Sequence, residues 1–591
     1  MQEIREWLNE IIKELYDVDF DAEITVAPEN IEADYSTNAP LKLAKIAHEA
    51  PINIAGRLKE AFLSKIELLG VDKDNSLDDI SKDVFMPVVT VSEPGFINFI
   101  LPDEYFMNKI GGLAEDFAKN ISWGEYSGKT VICEFSDPNP FKILHVGHLY
   151  TSIVGDAISR LYEYAGAKVV RANFGGDVGL HVAKTMYALQ RENIVNPTIE
   201  DIADCYVKGT ADYEENEDAK QKIVALNKQI YRINQKDEHD SELAKLYWYG
   251  RELSYEYFKD FYAKIGIKFD KYYPESTVAE LGLTKVKEQL EKGVYKLSDG
   301  AVIFDGEKYG LHTRVFINKD GVPTYEAKDV GLIFTKWQDY HFDKSVVITG
   351  NEQLDYMKVV LKSVEQYAPD LVEKTSHLTH GLVKLPGNVK MSSRKGNFLK
   401  AVEVLDMVRD ALKAEYNSTD EKVYLSAVKY AFIKYKMGGN IVFDPHDSVK
   451  MTGNSGPYLL YSCVRAKKIL ASVNNVFGEH SCRRGGYNVV TLSNSEREGV
   501  SQKNIIVEAE RNLAKKILEY KDTLQNAVFE MAPHKLANYL YELAQEFSRF
   551  YENCPVAGSE REPERLQLVK VYLDTMAHGL DILGINIPEE M

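Results

Sequence analysis

Two histidines set three residues apart, His145 and His148, stand where an apolar, β-branched run gives way to a helical pattern. The stretch reads Val131-Ile-Cys-Glu-Phe-Ser-Asp-Pro-Asn-Pro-Phe-Lys-Ile-Leu-His-Val-Gly-His148. Beyond it Ile153, Val154, Ala157, Ile158, Leu161 and Tyr162 recur at i, i+3, i+4, so the spacing predicts strand, loop and helix. Both imidazoles then face one side of the first helical turn, and Gly147 between them leaves the backbone open to close approach. A helix N-terminus offers unpaired N–H groups and a partial positive charge, which makes this junction a candidate phosphate cradle with two imidazoles as extra donors. Taken alone, two histidines near a helix start are more often surface or satisfied core groups.

A second stretch changes that weighing. Val389-Lys390-Met391-Ser392-Ser393-Arg394-Lys395-Gly396-Asn397 sets three cations beside two hydroxyls and a glycine. That composition suits a loop that closes over polyphosphate and neutralises charge developing on it. A solvated basic turn is the plainer reading of this stretch in isolation, but not of the two stretches together.

The HxGH element and the K-M-S-x-x-K element roughly 240 residues later together resemble the HIGH and KMSKS signatures of class I aminoacyl-tRNA synthetases. The finer resemblance is to the arginyl-tRNA synthetases, through Glu134-Phe-Ser-x-Pro-Asn139-x-x-Lys142-x-x-His-x-Gly-His148. Arg171-Ala-Asn-Phe-Gly-Gly-Asp177-Val-Gly179, Tyr325-Glu-Ala-Lys-Asp329-Val-Gly331 and Gly453-Asn-Ser-Gly-Pro-Tyr-Leu-Leu-Tyr461 resemble that family as well. So do Ala33-Asp-Tyr-Ser-Thr-Asn38 and the terminal Leu583-Gly-Ile-Asn-Ile-Pro-Glu-Glu-Met591. The likeness spans essentially the whole chain. The sequence departs from the family pattern at Ser393, where the second KMSKS lysine stands, which leaves open whether Arg394 or Lys395 takes its role.

The resemblance implies a ligase that activates L-arginine with ATP to arginyl-adenylate and pyrophosphate, then transfers arginine to the 3′-terminal adenosine of tRNA(Arg). By that resemblance the catalytic groups are Lys142, His145, His148, Lys390, Arg394 and Lys395. ATP would be held by His145, Gly147, His148, Lys390, Met391 and Ser392, with Mg²⁺ accompanying it. Arginine would be held by Glu134, Asn139, Tyr325, Asp329 and Gln353, and tRNA by Tyr35, Asn38, Tyr458 and Tyr461. The chemistry suits these residue types. A guanidinium presents five donors in a planar fork, which carboxylates can pair bidentately and an ammonium cannot reproduce. Tyr325 lies one helical turn from Asp329, on the same face. Acyl activation needs little acid–base work, so orientation and charge stabilisation should carry it.

The elements that must position these groups follow from the rest of the chain. With 591 residues, 45% hydrophobic and 27% charged, about three or four domains with a sizeable core are expected. The expected fold class is α/β: a Rossmann-like catalytic domain over about 121–440 carrying a helical insertion at about 190–300. An N-terminal α/β domain is expected over 1–120 and an all-α helical bundle over 441–591; the resemblance implies that the first reaches the outer corner of the tRNA and that the second binds the anticodon. Val131–Glu134 and Lys168–Asn173 read as buried parallel strands, and Asp177, among glycines at a strand end, as a binding residue. The sheet is expected to resume with Gly300–Phe304, Thr313–Asn318 and Ser345–Thr349.

No run approaches ~20 apolar residues, so no membrane partner is expected. The opening Met1-Gln-Glu-Ile-Arg-Glu-Trp-Leu is an acidic amphipathic helix pattern, unlike a targeting segment, and a cytoplasmic monomer is expected. The five cysteines are scattered without a CxxC pair, so neither zinc, a protein-held metal, nor a disulfide framework is expected. A net charge of −19, taken over the whole chain, argues against a nucleic-acid partner, and no DNA partner is expected. Residues 446–591, however, carry 17 Lys and Arg against 19 Asp and Glu, only −2 of the −19, so the RNA partner that the resemblance implies could meet local basic faces there. Two rival readings remain: a small nucleotidyltransferase, which would have no use for the insertion and bundle, and a tRNA-binding relative without catalysis, in which the histidines or lysines would be eroded.

Overall fold

A computed structural model describes residues 2–28, 30–70, 85–119, 123–387, 399–474 and 506–591. The chain forms two compact units. One comprises Met1–Asn120, Ile469–Glu519 and Glu546–Tyr572, and the other Ile121–Lys468, Tyr520–Gln545 and Leu573–Met591. Two helices near the end of the chain, Pro533–Asn553 and Glu562–Ile582, have 21 residues each. At ~1.5 Å per residue each is about 30 Å long, the diameter of a small domain.

In the first unit an antiparallel sheet runs in the order Ile24–Val26, Tyr35–Thr37, Phe96–Ile100, Val88–Ser92. Apolar faces of the helices Gln2–Tyr16 and Pro51–Gly70 supply its core, with Phe62 meeting Phe99 edge-on at 5.3 Å. Asp34 is buried here. It accepts from the Arg511 Nε at 2.7 Å and from the Leu101 N–H at 2.8 Å, while Arg511 also reaches Asp103 at 2.5 Å. Burial alone would raise the Asp34 pKa, but Arg511 and the backbone donor outweigh it and hold the carboxyl below its ordinary value.

The second unit is built on a five-stranded parallel sheet in the order Thr375–His380, Lys344–Gly350, Thr130–Glu134, Lys168–Gly175, Lys271–Pro274. The chain lays down the last three of these outward from Thr130–Glu134 and then returns to build the other two on its far side. Adjacent strand ends therefore diverge between Glu134 and Gly350, which is where open α/β sheets collect ligands.

Two expectations are corrected at this point. Ala301–Phe304 and Arg314–Ile317 do not belong to the parallel sheet; with Lys296–Ser298 they form a separate three-stranded antiparallel one. Their connections are too short for the crossover that parallel pairing requires. Conversely, Lys271–Pro274, inside the span assigned to the insertion, is an edge strand of the parallel sheet. The helices Ile199–Glu215, Glu217–Lys236 and Glu242–Lys264 account for the insertion proper.

Helices Glu275–Glu291 and Tyr325–Tyr340 pack through glycine. A methyl on Gly331 would lie 2.8 Å from the Gly282 nitrogen, so only the bare backbone allows this approach. The contact fixes the second helix, which carries Tyr325 and Asp329, against the first.

Candidate active site

The loop after Thr130–Glu134 is tied down side chain by side chain. The Ser136 hydroxyl shares a hydrogen bond with the Tyr262 hydroxyl at 2.7 Å. Asp137 accepts from the Phe174 N–H at 2.8 Å, and Asn139 from the Gly176 N–H at 2.7 Å. The Phe141 N–H donates to Ser254 at 3.0 Å. Strand Lys168–Gly175 and the insertion helix Glu242–Lys264 therefore share in holding it. Ser136, Asp137 and Phe141 all have positive φ (72°, 48° and 62°), a conformation side chains adopt only when their surroundings impose it.

At the end of the loop, helix Val146–Tyr164 begins on the histidines. The Gly147 N–H donates to His145 Nδ1 and the His145 N–H to His148 Nδ1, each at 3.1 Å, and the rings stack at 3.8 Å. With both Nδ1 atoms accepting, each neutral ring must carry its proton on Nε2. Burial, and after it neighbouring cations and histidines, push His145 down to about 4 and His148 well below its ordinary value. The pair is thus a fixed set of two neutral N–H donors at a helix N-terminus. A cavity beside it is lined by Asn139, Lys142, Ile143, His145, His148 and Tyr206. The Lys142 ammonium lies over the Tyr206 ring at 4.9 Å. Tyr206 comes from the insertion helix Ile199–Glu215.

Deeper in, carboxylates gather. Glu134 and Asp329 are both buried. Glu134 is paired with Lys336, which is 1% exposed, at 2.6 Å. That partner was not anticipated, although Lys336 lies seven residues after Asp329 and so on the same helical face. Asp329 accepts from the Tyr356 hydroxyl in a close contact. Burial first, and then the charges on Glu134 and Glu275, raise Asp329 to about 7 in spite of that hydrogen bond. Asp137 is also pushed well above its ordinary value, by burial and then by Glu134. Three carboxyls around one lysine make a buried region with too little positive charge, suited to receiving a cation.

The other expected residues fall in varied places. Tyr325 begins its helix largely exposed, with the Lys328 ammonium 5.3 Å from its ring. Gln353 ends the short turn Asn351–Gln353 after strand Lys344–Gly350 and is exposed. Asp177 is fully buried and already occupied: Arg251 donates to it at 3.0 Å, and Ser276 through its N–H at 3.0 Å and its hydroxyl at 2.7 Å. The reading of Asp177 as a ligand-binding group is replaced by one in which it ties the end of strand Lys168–Gly175 to the helices Glu242–Lys264 and Glu275–Glu291. Lys390, Met391, Ser392, Arg394 and Lys395 lie outside the described residues. Leu399 and Ala401, just after them, bond to the histidine loop, through Val146 N–H to Leu399 O at 2.9 Å and Ala401 N–H to Leu144 O at 3.0 Å.

Of the residues expected to touch tRNA, Tyr35 is 3% exposed in a central strand and belongs to the core of its unit. Asn38 is half-buried, and its Oδ1 has no hydrogen-bond partner among the described residues. Tyr458 donates to the Ala544 carbonyl at 3.4 Å. Tyr461 is exposed, with Arg465 4.9 Å over its ring. Among the described residues no helix is long and apolar enough to cross a membrane, and no group of His, Cys, Asp and Glu is arranged to hold a metal.

Comparison with known proteins brings these features together. Residues 117–444 match the family model described as "tRNA synthetases class I (R), catalytic domain". Residues 459–591 match the DALR anticodon binding domain, and residues 2–73 the arginyl tRNA synthetase N-terminal domain. The chain is 29% identical to an arginine–tRNA ligase of Fusobacterium nucleatum, over 96% of this chain and 95% of that one. It is also 29% identical to one of Treponema denticola, over 82% of each. The arginyl-tRNA synthetase structure of Thermus thermophilus shares the fold with a TM-score of 0.76 at 22% identity, covering all of both chains. The Plasmodium falciparum one does so at 0.73 and 21%, covering 100% of this chain and 99% of that one.

Proposed function

The chain belongs to the class I tRNA synthetases of the arginine type, and from that we infer that it is an arginine–tRNA ligase, joining L-arginine to tRNA(Arg) at the expense of ATP. The observation that carries this reading is the buried carboxyl cluster of Glu134, Asp137 and Asp329 around a single Lys336. A site that crowds buried carboxyls, with Asp137 and Asp329 held toward their neutral forms, gains most from a cationic side chain that lets them ionise, and one with carboxyl groups from a strand end and a facing helix suits a planar fork.

In the proposed reaction the arginine carboxylate attacks the α-phosphorus of ATP and pyrophosphate leaves. A hydroxyl of the terminal tRNA adenosine then attacks the acyl carbon and AMP leaves. The neutral His145 and His148 would donate Nε2–H bonds to phosphate oxygens without being consumed as acids. Lys142, steadied by the Tyr206 ring, would face the α-phosphate. Lys390, Arg394 and Lys395 would steady the departing pyrophosphate, for which Mg²⁺ accompanying ATP supplies further charge. Asp329 and Glu134 would hold the guanidinium, Tyr325 would pack the substrate chain, and Asn139 and Gln353 would hold the α-amino and carboxylate end.

In this reading residues 441–591 bind the anticodon, with Tyr458 and Tyr461 available to stack on splayed bases. Residues 1–120 meet the outer corner of the tRNA, where Asn38 remains a contact. The enzyme works as a cytoplasmic monomer. ATP–pyrophosphate exchange measured across the twenty amino acids, with and without total tRNA, tests the reading. Exchange with arginine alone, dependent on tRNA, is expected. Exchange with no amino acid, alongside tight tRNA binding, would point to a binding protein without catalysis.

A further inference from the structure

We propose that Tyr356 is a positioning residue for arginine recognition: its hydroxyl holds the Asp329 carboxylate in a single orientation, one oxygen engaged and the other presented to the guanidinium. This inference rests on the arginine reading above and adds to it a residue that touches Asp329 instead of the substrate.

The geometry isolates this hydrogen bond. Tyr356 lies in helix Leu354–Glu365, one turn beyond the expected substrate contact Gln353, and its hydroxyl donates to Asp329 Oδ2. Its ring cannot swing away freely. The Arg314 guanidinium sits 5.2 Å from the ring centre and is itself held by Glu326 at 3.2 Å. Arg314 therefore fixes the ring, the ring fixes the hydroxyl, and the hydroxyl fixes the carboxylate.

The charged groups around Asp329 come from each element packed against it. Glu134 and Asp137 lie at the strand end and in the loop after it. Glu275 lies on the neighbouring helix, where Lys328 pairs with it closely, and Lys336 on Asp329's own helix is spoken for by Glu134. Acids thus outnumber bases. In such surroundings a lone carboxylate would take up a proton and lose its use to a cation. A donated hydroxyl bond opposes this, because it stabilises the anion and can do little for the neutral acid. An ammonium would tolerate a rotating carboxylate, but a planar fork needs its plane set in advance.

A purely structural role for Tyr356 as a ring between two helices makes a different prediction, and the pH profile of arginine use separates the two. Arginine-dependent pyrophosphate exchange, with tRNA present, is measured for wild type and Tyr356→Phe between pH 6 and 9. A hydroxyl bond to a carboxylate is worth about one pH unit. With Asp329 at about 7 in the wild type, the ionised fraction at pH 7 would fall from about one half to about one tenth. The expected result is a KM for arginine raised about fivefold at pH 7, approaching wild type at pH 9, with kcat little changed and the acid limb of kcat/KM displaced upward by about one unit. Curves that superimpose after scaling by one factor at every pH would overturn the proposal and leave Tyr356 a packing residue. Absence of arginine-dependent exchange in the wild type would instead bring down the functional reading itself, so the two failures are distinct. A melting curve of the variant without substrate checks that its fold is retained.

Discussion

Replacing Asp329 by asparagine should make the empty enzyme more stable and all but unable to use arginine. The carboxyl titrates at about 7 in the fold, against roughly 3.9 in an unfolded chain. Between those values the native state holds a proton that the unfolded state does not, so stability falls as pH rises through the window from about 4 to about 7. Above it the whole difference of three units applies, about 4 kcal/mol as an upper limit and about 2 kcal/mol once local relaxation is allowed for. Asparagine carries no charge at any pH and still offers Tyr356 an acceptor. The variant should therefore melt about 2 °C above wild type at about pH 7.5, with the gap shrinking toward about pH 5. It also lacks the anion that pairs with the substrate, which costs about 3 kcal/mol or more, a hundredfold or greater drop in kcat/KM for arginine. Scanning fluorimetry of the empty enzyme across that pH range, together with pyrophosphate exchange, reads both effects. A variant that melts no higher than wild type at every pH and uses arginine within about threefold of it would refute the reasoning.

Other perturbations address the remaining parts of the site. Lys336→Met leaves Glu134 buried without its counter-ion and should cost about 3 kcal/mol or more in chemical unfolding, most of it recovered by adding Glu134→Gln. His148→Ala removes one neutral N–H donor and should lower kcat for exchange by about 10² or more while the melting temperature moves little; a loss of activity that only followed a lowered melting temperature would contradict the phosphate role. A methyl at Gly155 would lie 2.6 Å from Cβ and Cδ1 of Phe135. Gly155→Ala should therefore destabilise by about 1–3 kcal/mol and raise the arginine KM through the adjoining Glu134, readable in one kinetic and one melting experiment. In the first unit Arg511→Met takes from Asp34 its guanidinium partner and leaves it the Leu101 N–H and Lys515 at 3.5 Å. Because the native Asp34 pKa is depressed, the wild-type bonds stabilise above about pH 4 and fade below it, so the variant's deficit in melting temperature should be present at neutral pH and narrow on acidification.

The parts of the site that were legible in the sequence are those whose chemistry and spacing are local. His145 and His148 announce a donor pair because a three-residue interval on a helix fixes which way they face, and the structure stacks them on one turn. Glu134 and Asp329 could be named only through resemblance, since nothing near either residue tells a substrate ligand from a surface acid. Tyr35, quoted from a family motif, turned out to be a core residue, because a strand of three gives no sign of which face is covered. The antiparallel sheet around Ala301–Phe304 was misassigned because a short apolar strand reads alike in either kind of sheet.

The α/β class, the strand–loop–helix that carries the histidines and the kind of chemistry the chain can perform are readable from residue order, since periodicity, turn residues and donor types are properties of neighbouring positions. Only the tertiary structure decided what each buried charge is worth. Lys336 meets Glu134 across 202 positions, Tyr356 meets Asp329 across 27, and Arg251 meets Asp177 across 74. The ionisation of a carboxyl depends on what surrounds it within a few ångströms and on the water excluded there. Those surroundings are assembled by folding and are written at no single place in the chain.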